Sequence, residues 1–327
     1  MEKEHVLSVR GLNVNFKTQK GYLNAVDSLE FHVDKGETLA IVGESGCGKS
    51  ITSLSIMGLL EFPGSYYADQ IIFQGKNITN ANKEERRKLR GSGMSMIFQE
   101  PLTSLNSLLT VGSQLFEQIK VHEKGLSKAE CRKKCIEMLR KTGIPDPEQT
   151  YKNYPAFLSG GMRQRVMIAI ALACDPALLI ADEPTTALDV TIQAQILYLM
   201  KQLQKEYQTA IMFITHDLGV VAEMADRVIV MYAGQIVEEA DVRTLFHTPR
   251  HPYTKGLLNS TVRVSKDATR LQTIEGVVPT LSAMPEGCRF APRCPFATER
   301  CSKSCPKLKP VGMESGHLVR CILQEDQ

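Results

Sequence analysis

The segment GESGCGKS, residues 43 to 50, carries the clearest chemistry in the sequence. It fits the pattern G-x-x-x-x-G-K-[ST], in which a glycine-rich turn between a strand and a helix surrounds a polyphosphate with backbone N–H groups. The Lys49 ammonium can reach the outer phosphates, and the Ser50 hydroxyl can ligate magnesium. The buried-strand pattern TLAIVG precedes the segment, and a helix over KSITSLSIMGLL follows it. We therefore predict a nucleotide-binding loop made of Gly43, Glu44, Ser45, Gly46, Cys47, Gly48, Lys49, Ser50 and Ile51.

Cys47 lies inside this loop, at the N-terminus of the following helix. That position tends to lower the pKa of a thiol, so oxidation of Cys47 could inhibit nucleotide binding. The alternative is that only its backbone N–H contributes and the thiol merely fits. We favour the alternative.

Two further segments have residue types suited to phosphate chemistry. In LLIADEPTTALD, Asp182 at the end of a buried strand can hold the magnesium shell, and Glu183 can deprotonate an attacking water. An acidic pair is weak evidence alone, because helix N-caps use the same residues. In LSGGMRQR, Ser159 and two glycines precede a helix, which fits either a simple cap or a second phosphate-binding helix end. A second phosphate-binding helix N-terminus, besides the one after the glycine-rich loop, has no obvious use within one chain.

The remaining patterns predict the elements that position these segments. VLSVRGLNVNF and AVDSLEFHV are typical of strands, and ALLIAD and TAIMFITH are typical of buried strands separated by the helix VTIQAQILYLMKQLQKEY. Buried strands alternating with helices indicate a parallel sheet covered by helices. The middle of the chain reads as mainly helical; a helix from Ser127 to Gly143 opens with a capping box and buries Cys131 and Cys135. We prefer core packing to metal binding for these two cysteines.

Composition excludes several function classes. The 327 residues are 43% apolar and 23% charged, which is typical of a globular protein of two domains. A net charge of +3 is too mild for a nucleic-acid partner, and the run KEERRKLR reads as a solvated helix face. The N-terminus has no apolar signal segment, and the run VMIAIALAC is too short to cross a bilayer. Near residue 241 the alternating strand and helix patterns give way to HTPRHPYTKGLL and a proline- and cysteine-rich tail, which indicates a domain boundary.

The order of the motifs resembles that of the ATP-binding subunit of ABC transporters, over roughly residues 6 to 240. The matching segments are GESGCGKS, MIFQEP with Gln99, LSGGM, LLIADEP, TALD and FITHD with His216. The resemblance implies an α/β P-loop NTPase fold with a mainly parallel core sheet, an antiparallel β subdomain and a helical subdomain at about 100–172. It also implies a head-to-tail dimer, in which each ATP lies between one chain's phosphate loop and the LSGGM segment of the other.

The same resemblance implies a role for each matching residue. Glu183 is the expected general base and His216 the expected holder of the γ-phosphate and water. Ser50, Gln99 and Asp182 would hold Mg²⁺, and the segment after Gln99 would pass movement to a membrane partner. Phe16 would stack on the adenine, and Asp189 would lie in the loop that contacts the second subunit. The ATP of the partner would be contacted by Ser159, Gly160, Gly161 and Met162. Phe16 and Met162 depart from the residues commonest in the family, which should not abolish hydrolysis.

The closing region narrows the resemblance to importers of dipeptides, oligopeptides or nickel, through PRHPYTKGLL and a cysteine-bearing tail at 241–327. It implies a cytoplasmic, peripheral subunit bound to two permease subunits, with an extracellular solute-binding protein. In that group the second ATPase is usually a related but distinct subunit, so a heterodimer is expected. The alternatives are a non-transport ABC ATPase acting on ribosomes or DNA, and a redox- or metal-responsive ATPase. The solute is left open.

The tail holds Cys288, Cys294, Cys301, Cys305 and Cys321. A cytoplasmic location makes structural disulfides improbable, and the gaps of the first three exceed those usual for structural zinc. Loosely spaced thiolates suit an iron–sulfur cluster. The resemblance implies a [4Fe–4S] cluster on Cys288, Cys294, Cys301 and Cys321, with Cys305 unused. Zinc, an empty reduced site and His317 as a ligand are the alternatives.

Overall fold

The structure, a computed structural model, describes residues 4–99, 104–186, 188–260, 274–312 and 316–324. The chain forms two compact units. Unit 1 comprises Met1–Val6, Val33–Glu37 and Asn80–Phe213, and unit 2 comprises Leu7–His32, Thr38–Thr79 and Ile214–Gln327.

The described strands follow one another along the chain in this order: β1 His5–Thr18, β2 Gly21–Asp34, β3 Thr38–Val42, β4 Gly64–Tyr67, β5 Gln70–Phe73, β6 Lys76–Asn77, β7 Met94–Ile97, β8 Leu178–Asp182, β9 Ala210–Ile214, β10 Arg227–Tyr232, β11 Gln235–Asp241, β12 Lys309–Pro310 and β13 Leu318–Val319.

The described α-helices are α1 Lys49–Met57, α2 Lys83–Leu89, α3 Val111–His122, α4 Lys128–Lys141, α5 Pro147–Lys152, α6 Gly160–Leu172, α7 Val190–Tyr207, α8 Leu218–Met224, α9 Val242–His247, α10 Pro252–Asn259 and α11 Glu299–Lys303. Short 3₁₀ turns cover Pro155–Phe157, Leu281–Ala283, Ala291–Arg293 and Ile322–Gln324. None of the helices in the described ranges is long and apolar enough to cross a membrane.

Unit 1 combines parallel strands with a group of packed helices. β7 runs parallel to β8, with Ile97 opposite Ala181, and β9 lies on the other side of β8. Every residue of β8 is buried, as the apolar run predicts. Helices α3, α4, α5 and α6 pack on one another. The predicted capping box is confirmed, because the Ser127 hydroxyl accepts from the Glu130 N–H and the Glu130 carboxylate accepts from the Ser127 N–H.

Helix α4 buries Cys131 and Cys135 completely, as predicted for core residues. Burial also raises the pKa of the Cys135 thiol to about 12, with the neighbouring Cys131 acting in the same direction. Among the described residues, no group of three close ligand side chains that could hold a metal includes Cys131 or Cys135.

Unit 2 contains an antiparallel sheet and a second set of strands. The antiparallel sheet has the order β2-β1-β5-β6, and β4 also pairs with β1. In the second set β10 runs parallel to β3, with Val228 opposite Ala40, and antiparallel to β11. The short strands β13 and β12 continue this set from the edge of β11. The described tail of the chain therefore packs in the same unit as the glycine-rich segment.

The helix that follows the glycine-rich segment is shorter than predicted. The pattern KSITSLSIMGLL predicts a helix that includes two leucines after Gly58, but α1 ends at Met57. Gly58 adopts a left-handed φ of 65° and its N–H caps the helix by donating to the Leu54 and Ser55 carbonyls. Glycine commonly ends a helix in this way, because it has no Cβ to oppose positive φ.

Candidate functional site

The glycine-rich segment leaves the buried end of β3 and turns into α1. Gly43 has a φ of 153°, and a Cβ on it would lie 2.2 Å from the Met231 carbonyl oxygen. Gly48 has a φ of 106° and occupies the N-cap position of α1. The first glycine therefore permits close approach to β10, and the last one leaves the start of α1 without a capping side chain. Backbone N–H groups at a helix N-terminus that has no side-chain cap can bind an anion.

Lys49 closes the loop from inside. Its Nζ donates to the Gly43 carbonyl at 2.8 Å and to the Glu44 carbonyl at 3.1 Å, and the residue is 6% exposed. Two backbone carbonyls thus hold the ammonium at the concave side of the loop. A cation in this position can meet a polyphosphate there.

The expectation that Cys47 has a lowered pKa is wrong. The residue is 1% exposed, and burial raises the pKa of its thiol, although nearby Lys49 opposes this. Burial disfavours the thiolate more strongly than the helix start and Lys49 favour it. The structure thus supports the interpretation that the thiol merely fits within the loop.

In unit 1 the structure brings Gln99 and Glu183 together. Each lies two residues beyond a paired position of parallel β7 and β8, namely Ile97 and Ala181. Parallel strands end at the same edge, so the two side chains meet there. The Gln99 amide nitrogen donates to the Glu183 carboxylate at 3.1 Å.

Glu183 sits in an unusual backbone conformation. Its φ is 46°, a left-handed value that is uncommon for residues other than glycine. The Thr186 hydroxyl donates to its carboxylate at 2.9 Å, and Asp182 just before it is 5% exposed. Such conformations cluster at functional sites. Thr186 opens the segment TALD, but no role for its hydroxyl was predicted from the sequence.

The LSGGM segment forms the N-terminus of α6. The Ser159 hydroxyl accepts from the Met162 N–H at 3.3 Å, which is an N-cap. A Cβ on Gly161 would lie 2.9 Å from Ile192 on α7, while Gly160 has more room. Asp189 caps α7 by accepting from the Ile192 N–H. Both Ser159 and Asp189 thus have a local capping role, and their roles in a dimer stay predictions.

Phe16 and His216 lie in unit 2. Phe16 is half-buried on β1, opposite Gly64 of β4. His216 is exposed in the turn between β9 and α8, beside Asp217, which caps α8. The segment after Gln99 that is expected to contact a membrane partner begins at 100–103, outside the described residues.

Four cysteines of the tail, Cys288, Cys294, Cys301 and Cys321, lie in unit 2. The Cys288 N–H donates to the Cys301 carbonyl at 2.8 Å. Burial raises the pKa values of Cys288, Cys294 and Cys321, and the other thiols of this group add to each increase. Cys301 is one of those thiols in all three cases, but among the described residues no three of these sulfur atoms lie within 4.8 Å of one another.

Cys305 and His317 have other partners. Cys305 is exposed and contacts the Gln235 amide at 3.6 Å. The His317 Nε2 bonds the buried Glu238 carboxylate at 2.8 Å. Burial opposes ionisation of Glu238, but bonds from His317 and from the Arg250 and His251 N–H groups hold its pKa below the usual range. His317 thus supports β11 rather than the cysteine group.

Two residues that touch the loop were given no role from the sequence. The Tyr253 hydroxyl accepts from the Glu44 N–H at 3.0 Å, and Arg293 forms an ion pair with the Glu44 carboxylate. The bond to Glu44 raises the pKa of Arg293, and burial raises that of Tyr253. The available sequence signals were that Tyr253 belongs to the segment PRHPYTKGLL and that Arg293 directly precedes Cys294.

Two family models match the chain. The ABC transporter model matches residues 26–186, and the model of the oligopeptide/dipeptide transporter C-terminal region matches residues 237–301. The first match contains the glycine-rich loop, Gln99, Ser159 and Glu183. The second contains Cys288, Cys294 and Cys301.

Curated relatives match almost the whole chain. The oligopeptide transport ATP-binding protein AppD of Bacillus subtilis (strain 168) is 53% identical over 323 residues, which is 98% of each chain. The dipeptide transport ATP-binding protein DppD of Escherichia coli (strain K12) is 50% identical over 303 residues, covering 93% of this chain and 92% of that one.

Solved structures share the fold. A dimeric, post-hydrolysis structure of the ATP-binding cassette MJ0796 bound to ADP and Pi has a TM-score of 0.63 at 28% identity, covering 72% of this chain and 99% of that chain. The cbiO1 protein of Clostridium perfringens, part of the ABC transporter complex cbiONQ, has a TM-score of 0.64 at 30% identity, covering 75% and 92%. These relatives confirm the resemblance seen in the motif order. The chain belongs to the ATP-binding subunits of ABC transporters and is an ATP hydrolase of that family.

Proposed function

We propose that this protein hydrolyses ATP to power an ABC importer of dipeptides or oligopeptides. The observation that carries the proposal is the identity of 50% or more, over nearly the whole chain, to proteins named for oligopeptide and dipeptide transport. The match of the C-terminal region to the same class of transporter supports it. These relatives favour transport over a role on ribosomes or DNA.

Within this proposal, Gly43–Ile51 hold the phosphates of ATP, and Phe16 stacks on the adenine. Ser50, Gln99 and Asp182 supply a hydroxyl, an amide oxygen and a carboxylate, the oxygen ligands that Mg²⁺ takes. The Gln99 amide nitrogen, not its oxygen, bonds Glu183, which is the orientation that a cation ligand needs. When bound, Mg²⁺ neutralises charge on the phosphates.

Glu183 takes the proton of the attacking water in this proposal. The water oxygen bonds the γ-phosphorus while the bond from that phosphorus to the bridging oxygen breaks, which yields ADP and inorganic phosphate. Gln99 and Thr186 orient the Glu183 carboxylate through their hydrogen bonds. His216 contacts the γ-phosphate and water.

Two ATPase subunits form the working unit in this proposal. Ser159–Met162 contact the ATP of the partner and Asp189 lies in the contact between subunits. The dimeric structure of the cassette MJ0796 supports a pair of ATPase subunits. We propose a related second ATPase, two permease subunits, an extracellular solute-binding protein, and a location at the cytoplasmic face of the membrane.

The tail forms a small C-terminal domain with a [4Fe–4S] cluster in this proposal, within a division into residues 1–240, with a helical subdomain at about 100–172, and 241–327. Four thiols of one unit fit the group in number and type, since such clusters are held by four thiolates. Burial raises the pKa values of Cys288, Cys294 and Cys321, so binding of a cluster by these thiols must release protons. An absorbance band in anaerobically purified protein that Cys294→Ser removes would support it, and stoichiometric zinc without iron would contradict it.

The solute class can be tested on the assembly purified from its native membrane. We expect dipeptides or tripeptides, with the solute-binding protein present, to stimulate ATP hydrolysis. Stimulation by nickel ions instead would contradict peptide import, and permease subunits should co-purify with the chain. A Lys49→Ala chain in the same assembly controls for contaminating ATPases.

A further inference from the structure

The second residue of the glycine-rich loop is fixed by contacts on every polar atom. The Glu44 N–H donates to the Tyr253 hydroxyl at 3.0 Å, and the Glu44 carbonyl accepts from Lys49 and, at 3.3 Å, from the Cys47 N–H. Its carboxylate accepts two bonds from Arg293, at 2.7 and 3.1 Å. Glu44 therefore joins the interior of the loop to a residue of the tail.

Arg293 is built into its position. Its side chain is 4% exposed. Besides the two bonds to Glu44, it donates to the Glu275 carbonyl at 3.0 Å, to the Ile274 carbonyl at 3.2 Å and to the Tyr232 hydroxyl at 3.4 Å. These five bonds match the five N–H donors of a guanidinium, so the side chain is held in one orientation.

The rings beside Arg293 form a rigid support. Tyr232 and Tyr253 lie with ring centroids 4.7 Å apart, and Phe290 packs on both at 5.1 and 5.5 Å. All three side chains are buried. The support thus holds both partners of Glu44, the Tyr253 hydroxyl and the Arg293 guanidinium.

A second arginine of the tail acts nearby. Arg289 pairs with Asp27 at 2.8 Å and donates to the Ala233 carbonyl. The next residue, Gly234, donates its N–H to the Cys47 carbonyl of the loop at 2.9 Å. The tail thus contacts the outer side of the loop directly through Arg293 and indirectly through Arg289.

We propose that Arg293 is a positioning residue that holds the glycine-rich loop in its nucleotide-binding shape through the Glu44 carboxylate. The inference rests on the proposed role of Gly43–Ser50 in binding phosphate. Charge-assisted, bidentate bonds are among the stronger polar contacts in proteins. Without them, a half-buried carboxylate loses its partner and the loop can leave the arrangement that directs its N–H groups at phosphate. The tail thereby sets nucleotide affinity.

The test compares Arg293→Gln, Arg293→Lys, Glu44→Gln and the double variant in the full assembly. We expect Arg293→Gln to raise KM for ATP and the Kd for ADP about tenfold, with kcat lowered less than about threefold. Arg293→Lys should recover part of the affinity, because lysine restores the charge but not the two parallel bonds. A loss of folded protein alone would instead lower kcat at an unchanged KM.

Two controls separate the inference from its premise. Lys303→Gln removes an exposed tail ion pair with Glu299 and should leave KM unchanged. Lys49→Ala should abolish nucleotide binding; retention of binding would refute the loop assignment itself. If Lys49→Ala loses binding while folded Arg293→Gln and Glu44→Gln keep the wild-type KM, the inference alone is refuted. Strictly additive effects in the double variant would also refute it, because coupled residues are non-additive.

Discussion

At the residue scale, Glu183 combines a strained backbone with a directed side chain. Its left-handed φ turns the chain immediately after buried β8, and Gln99 and Thr186 both donate to its carboxylate. A carboxylate held by two donors in one orientation is suited to accept a proton from a single water. These bonds fix the direction of that carboxylate, which is the quality a general base requires.

Glu183→Gln should lower kcat by about 10²- to 10⁴-fold while leaving nucleotide affinity near the wild-type value. The glutamine amide oxygen can still accept from Gln99 and Thr186, so the fold is kept and only the basic group is lost. Steady-state hydrolysis and equilibrium ADP binding measure the two effects. Glu148→Gln, an exposed residue of α5, is the matched control. Hydrolysis within a few-fold of wild type would exclude Glu183 as the base.

His251 makes stability depend on pH. Burial lowers its pKa from 6.5 to about 4, and its Nδ1 accepts from the Tyr253 N–H. Between these values the unfolded chain takes up a proton that the folded chain excludes. The contribution of His251 to the free energy of unfolding is therefore at its maximum above about pH 6.5. It falls as the pH drops, by up to about 1.4 kcal/mol per pH unit.

His251→Asn should flatten that dependence. Asparagine is a good N-cap and can still cap α10, but it does not titrate. Denaturant unfolding at pH 7, 6 and 5 should show the wild type losing its advantage over the variant as the pH falls. The exposed His247→Asn serves as the control. Parallel curves for wild type and His251→Asn would contradict the assignment.

At the element scale, helix α4 is specified by its own sequence. The Ser127 hydroxyl and the Glu130 carboxylate satisfy each other's backbone N–H groups. Ser127→Ala should lower the free energy of unfolding by about 1 kcal/mol. Ser127→Asp should restore most of it, because aspartate caps equally well. Chemical denaturation measures both, and an unchanged stability for Ser127→Ala would show that the cap contributes nothing.

Local patterns predicted the elements but not their distant contacts. The alternation and burial of β1, β3 and β8 and the capping of α4 depend on residues within a few positions, so the sequence alone indicated them. The end of α1 was misjudged because Leu59 and Leu60 continue the apolar pattern beyond Gly58. The raised pKa of Cys47 depends on burial by other elements, which no local pattern reveals.

The contact between Glu44 and Arg293 illustrates the same limit more strongly. The two residues are 249 positions apart. Their types are ordinary for a loop and a tail, and the sequence gives no reason to pair them. Gln99 and Glu183 could be associated in advance only through the motif order, since 84 positions separate them.

At the scale of the whole molecule, hydrolysis must be coupled to transport. In the proposed assembly a chain contributes its loop to one ATP and Ser159–Met162 to another. Each chain is thus part of two nucleotide sites, and the permeases respond to the closing and opening of the pair. Replacement of Glu183, the proposed base, should therefore stop transport while the assembly stays intact.

Peptide uptake by proteoliposomes that contain the purified assembly, its solute-binding protein and internal ATP tests this account most directly. The account predicts uptake of a labelled dipeptide or tripeptide with the wild-type chain. With Glu183→Gln in this chain, uptake should fall to the level seen without ATP. Uptake at the wild-type rate with Glu183→Gln would contradict the account. Hydrolysis of ATP by the wild-type assembly without any peptide uptake would also contradict it.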